Sequence, residues 1–121
     1  MSGNINFNGW INDDGSENYK CRAWVNFNGV GTVAIRASGG VSSITDNGNG
    51  DYTLNFTTAM VDVNYCVSAN STNDNGGWSG QANAQPKADV TRVASSIRVV
   101  TSNTISAALV DHSQVSVAIF R

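Results

Sequence analysis

From Cys21 to Tyr65 the chain reads CRAWVNFNGVGTVAIRASGGVSSITDNGNGDYTLNFTTAMVDVNY, with apolar residues at every second position in short runs and Gly and Asn between the runs. Successive side chains of a strand point to opposite faces, so this period of two builds half-buried strands; an amphipathic helix needs a period near 3.6. Asp46-Asn47-Gly48-Asn49-Gly50 is the strongest turn signal, because Asn and Gly tolerate the positive φ of tight hairpins.

Cys21, Ala23, Val25 and Phe27 are expected on one face of a first strand, with Arg22, Trp24 and Asn26 on the other. A turn over 28–31 leads to a strand over 32–36 with Val33 and Ile35 inward, and the two runs form a hairpin. A turn over 37–40 precedes a short strand over 41–45. Past the Asn-Gly turn, 51–57 buries Tyr52, Leu54 and Phe56, and 64–70 presents Tyr65, Val67 and Ala69 on one face. Strands over 94–101, 104–111 and 114–120 close the chain, joined at Ser102-Asn103 and His112-Ser113. Residues 71–92, which hold the single proline, Pro86, form the longest break, and a loop of that length is functional or mobile. No window has helical periodicity. Seven or eight short strands with short turns imply an all-β fold, a small antiparallel β-sandwich or a closed barrel. The last strand, VSVAIF, is apolar on both sides, which predicts burial against the core on one face and against a partner subunit on the other.

The chain of 121 residues fits one domain, assigned to 21–121. Residues 1–20 differ: they are rich in Asn, Gly and Asp yet hold Ile5, Phe7, Trp10 and Ile11. They read either as a frayed terminus or as an arm whose apolar residues pack on a neighbouring subunit or a larger assembly. β-branched residues abound, while Leu occurs only at Leu54 and Leu109, in keeping with strands. Charged residues are 13% of the chain and the net charge is −2. Nucleic-acid affinity rests on clustered Lys and Arg, and here seven basic residues are scattered along the chain, so no nucleic-acid partner is expected. No apolar stretch is long enough to span a bilayer, so no membrane insertion is expected. Cys21 and Cys66 sit in predicted strands and are expected as two reduced, partly buried thiols, with a disulfide as the alternative.

Catalytic chemistry finds little support. The single histidine lies in Asp111-His112-Ser113, and adjacent residues cannot converge as a Ser-His-Asp triad does in space. The 46–51 loop places Gly48 and Gly50 where a calcium loop needs oxygen ligands, and one His with two distant Cys makes no zinc pattern. No enzyme activity, metal or cofactor is expected. One binding candidate stands out: Asn73, Asp74, Asn75 and Gln81 surround Trp78 in a flexible, polar loop. An indole face can stack on a sugar while amides and carboxylates bond its hydroxyls; alternatively Trp78 folds back and pins the loop to the core. Arg22 and Trp24, with Val117 and Phe120 of the last strand, are candidates for a contact between subunits.

Taken together, the runs CRAWVNFNG, GTVAIR, VSSITDNG and GDYTLNFTTAM between Cys21 and Met60 closely resemble a module of tailed-bacteriophage virion proteins, found mostly near the C-terminus of tail fibres. The resemblance implies a knob-like, trimeric β-sandwich, similar in the order of its later strands to H-type lectins by analogy of fold. It implies a homotrimeric virion protein, made and folded in the bacterial host cytoplasm. Its expected partners are other virion proteins, met through the arm, and a host-surface glycan. A tail-fibre tip that adheres to the host and a capsid fibre or decoration protein both fit. The family supplies no catalytic or metal residue. Its pattern has Pro after Ala-Met, where Val61 stands here, so the turn at 61–63 is expected to be less rigid. The module usually caps a longer protein; with 1–20 before it, the chain is expected to be a separately encoded tip attached through that arm, or a surface decoration.

Overall fold

A computed structural model describes Asp14, Gly15, residues 20 to 73 and residues 82 to 121. Its strands are β1 (Cys21–Asn28), β2 (Ala34–Gly39), β3 (Val41–Gly48), β4 (Asp51–Phe56), β5 (Cys66–Thr72), β6 (Ala82–Pro86), β7 (Ser96–Asn103) and β8 (Gln114–Phe120). They form two four-stranded antiparallel sheets, ordered β2-β1-β8-β5 and β3-β4-β7-β6. The protein is a small β-sandwich, and no helix occurs among the described residues.

Alternation builds the core as expected. Ala23, Val25 and Phe27 of β1 meet Val115, Val117 and Ile119 of β8 on one inner face, and Tyr52, Leu54, Ile97 and Val99 line the other. Two edge-to-face aromatic pairs lie within this core, Phe27–Tyr52 at 5.1 Å and Phe56–Tyr65 at 5.7 Å between centroids. The β3–β4 hairpin turns at Asn49-Gly50, with Gly50 at φ +66°. The chain passes from the first sheet to the second at Gly40, φ +73°, where an added Cβ would lie 2.7 Å from Arg22 O.

Several expectations give way. β2 runs on to Gly39, so the turn expected over 37–40 shrinks to Gly40. Val33 packs against the core as expected, and Ile35 pairs with Phe27 on the same face but is 38% exposed, because β2 is an edge strand that leaves one of its flanks open to water. A second bulge, between Cys21 and Ala23, takes Cys21 off the core face; both thiols are free and exposed instead of partly buried. Cys21 and Cys66 each pair with Phe120, from strands on either side of β8. Two strand spacings separate them, about 10 Å, beyond the ~7 Å that a disulfide spans.

Residues 104–111 are not a strand. Asn103 N bonds Ala108 O, Ala107 N bonds Asn103 O, and Ile105 N bonds Asn103 Oδ1, so the segment closes a compact loop after β7. The two-residue hairpins expected at Ser102-Asn103 and His112-Ser113 therefore do not form: the segment turns back through a single antiparallel bridge, Ser102↔Leu109, and β8 enters the other sheet between β1 and β5. Within the break expected over 71–92, β6 pairs with β7 from Ala82↔Asn103 to Pro86↔Val99. Its proline sits at the strand's last position, on a sheet edge, where no ladder donor is needed. The turn at 61–63 is tied down without proline: Arg121 forks onto Asp62 at 2.9 and 2.7 Å, and Asn64 N donates to Asp62 Oδ1.

Candidate functional site

Of the loop candidates, Asn73 follows the end of β5, while Asp74, Asn75, Trp78 and Gln81 lie outside the described residues. Ile5, Phe7, Trp10 and Ile11 of the arm lie outside them too.

The outer face of the first sheet holds the residues expected to contact a neighbouring subunit, with one correction. Val117 is 3% exposed and belongs to the core, because β8 is a central strand whose Val115, Val117 and Ile119 all point inward. The outward residues of β8 include Ser116, Ala118 and Phe120, so its outer side is apolar at Ala118 and Phe120 and interrupted by Ser116. Trp24 and Phe120, each 43% exposed, do face outward. Between β1, β8 and β5 lies a shallow concavity of about 330 Å³, lined on its floor by Asn26, Ser68, Ser116 and Ala118 beside Trp24. Asn26 Nδ2 donates to Ser116 Oγ at 3.0 Å, and Arg22 Nε donates to the Arg121 carbonyl at 2.7 Å. The uncharged, small-residue floor with an aromatic at its rim is a shape that a second flat surface can cover.

His112 is buried, and its Nδ1 lies 2.8 Å from Ser71 Oγ. Burial lowers its pKa below the ordinary value, with the Asp111 charge opposing, so the neutral ring is favoured. Asp111 serves the fold: Tyr52 Oη donates to its Oδ1 at 2.6 Å and Gly50 N at 2.7 Å. Burial also raises the Tyr52 pKa well above the ordinary phenol, with the Asp111 hydrogen bond adding to it. Ser113 Oγ turns instead to Thr72 O. Asp111, His112 and Ser113 thus point three ways. Among the described residues, no group of three His, Cys, Asp or Glu side chains is arranged to hold a metal ion, and no helix is long and apolar enough to cross a membrane.

Sequence reasoning missed a cleft of about 450 Å³ on the outer face of the second sheet. Thr53, Ser96 and Arg98 of β4 and β7 form its floor, and the segment from Lys87 to Val93 forms its wall. Three of the seven basic residues, scattered along the sequence, meet here: Lys87, Arg92 and Arg98. Arg98 donates from Nε and Nη2 to Asp51 at 2.7 and 2.8 Å, and this fork holds the Asp51 carboxyl below its usual range. Arg92 donates from Nη1 to Tyr65 O at 2.9 Å and lies 5.0 Å over the Tyr65 ring. Lys87 pairs with Asp89 at 3.0 Å. The only trace in the sequence is that three cations fall between 87 and 98.

Comparison of the chain with protein-family models, with curated proteins and with solved structures finds no match.

Proposed function

We propose that this chain is a structural protein of a tailed-bacteriophage virion, and specifically a tail-fibre tip that adheres to the host surface. The observation that carries the reading is where the resemblance between Cys21 and Met60 falls on the fold. Its words coincide with four consecutive strands, β1 to β4, and their turns. Its glycines stand where side chains fit badly: Gly31, Gly48 and Gly50 have positive φ, and Gly29 leaves no room for a Cβ against Tyr52. Such wording is what a shared scaffold demands, and it leaves the connection after β5 and the 87–95 segment to vary with the ligand.

The role is binding rather than catalysis, and the binding is multivalent: three copies meet through the outer face around Trp24 and Phe120, and residues 1–20 attach the trimer to the virion. A structural role as a capsid fibre or decoration protein is the second reading, favoured by those two exposed aromatics, which serve assembly without any ligand.

Competition separates the two. Purified protein added to host cells should bind saturably and slow adsorption of the parent phage. Protein that neither binds cells nor slows adsorption contradicts the tail-tip reading in favour of decoration. On a glycan array, a Trp78→Ala variant tests the loop; binding that survives the substitution removes Trp78 from the site.

A further inference from the structure

The cleft beside β7 has a charge balance that points to a ligand class. Three cations, Lys87, Arg92 and Arg98, stand against two carboxylates: Asp89, paired with Lys87, and Asp51, paired with Arg98. Asp51 takes two N–H groups of Arg98, which leaves Nη1 free to donate and holds the guanidinium plane in a fixed orientation. Arg92 has no carboxylate partner among the described residues; its bonds go to a carbonyl and a ring face. Lys87 pairs with Asp89 at 3.0 Å, and the Asp89 side chain is 79% exposed, so water competes for this pair and it is worth little. One positive charge is thus in excess, fixed on a side chain that other contacts already order.

The surroundings are polar and neutral. Thr53, Thr91 and Ser96 bring hydroxyls to the cleft, and Val90 and Val93 bring small apolar surfaces. Beyond Thr53 the sheet continues as a hydrogen-bonded row: Asn47 Nδ2 donates to Thr53 Oγ1 at 2.8 Å, and Asn55 Nδ2 lies 3.1 Å from both Ser43 Oγ and Thr45 Oγ1. These bonds order the side chains while leaving amide and hydroxyl oxygens outward.

We infer that this cleft binds an acidic sugar of a surface polysaccharide, with its carboxylate held by Arg92 and Arg98 and its hydroxyls by the Thr and Ser side chains of the floor. The inference rests on the adhesion reading and supplies it with a ligand class and a site. A guanidinium offers paired N–H donors that match a carboxylate. A volume of about 450 Å³ falls within the roughly 300–1,000 Å³ of small-ligand sites. One excess charge suits one carboxylate. It does not suit a phosphodiester chain, whose affinity comes from several neutralised phosphates. The amide and hydroxyl row along β3 and β4 gives the neighbouring sugars a surface to follow.

The test is an NMR titration of the ¹⁵N-labelled protein with oligosaccharides ending in galacturonic, glucuronic or sialic acid, each beside its methyl ester. At least one acid should shift the amides of Thr53, Lys87 and Arg98. Esterification and Arg92→Gln should each weaken binding about tenfold, the worth of one charge-assisted hydrogen bond. Because Arg92 also bonds Tyr65 O, the variant's own spectrum reports its fold, and Lys87→Gln at the exposed pair is a second variant expected to weaken binding less. Equal binding of acid and ester, shifts confined to other regions, or no binding of any acid overturns the inference. If host-cell binding persists and is indifferent to Arg92→Gln, the cleft fails and the adhesion reading stands; if the wild-type protein does not bind host cells, the adhesion reading itself fails.

Discussion

Gly50 shows how much a single position can require. Its φ of +66° belongs to the left-handed region, and a Cβ there would lie 2.6 Å from both Thr101 O and Val110 N. Gly50 also donates to Asp111 and accepts from Thr101 N at 2.9 Å, so the hairpin tip is sewn to β7 and to the segment before β8. Gly31 has a similar φ, +68°, with nothing near its missing Cβ. Gly31→Ala should therefore cost only the conformational strain of about 1–2 kcal/mol, while Gly50→Ala adds a backbone clash and should lower the melting temperature clearly further. Thermal unfolding of the two variants checks this; equal losses would contradict it. His112 gives a pH dependence. Its folded pKa is depressed by burial, so the stability it contributes is complete above its unfolded pKa near 6.5 and is lost as pH falls below that value. Urea midpoints should fall between pH 7 and pH 5, and His112→Gln should flatten that slope. Asp62, pulled down to about 2 by the Arg121 fork, acts only at lower pH, between 3.8 and about 2.

At the scale of elements, β8 is the organising strand, paired on both sides from Val115↔Phe27 to Ile119↔Val67. Amide hydrogen exchange should be slowest in β8, β1 and β4 and faster in the edge strands β2 and β6; protection of β6 equal to that of β8 would contradict the topology. The elements legible in the sequence were those whose alternation meets the core: β1, β4 and β8 each bury every second residue. β6 was illegible because ANAQP buries only Ala84 and owes its strand to pairing with β7. Residues 104–111 misled in the opposite way. Their apolar Ile105 and Leu109 are exposed, and Ala107 takes φ +58°, which no strand allows. The bulge that turns Cys21 outward and the edge position that exposes Ile35 both arise from pairing with partners elsewhere in the chain, and local pattern holds no sign of them. The basic cleft is likewise tertiary: it exists because the segment after β6 folds over the face of β4 and β7.

For the whole molecule, the sandwich leaves two opposite outer faces with different chemistry. One has an uncharged, small-residue floor, with Trp24 and Phe120 half exposed; the other is a polar amide and hydroxyl surface ending in the basic cleft. Proposing trimer contacts on the first and ligand contacts on the second gives each face a task. Sedimentation velocity at micromolar concentration should give a trimer, and Trp24→Glu should shift it toward monomer; a wild-type monomer would contradict the assembly. The most direct test of the central claim is immunogold electron microscopy of purified virions with antibody to this chain. The account predicts label at the distal end of the tail. Label confined to the capsid, or absent from the particle, would contradict it.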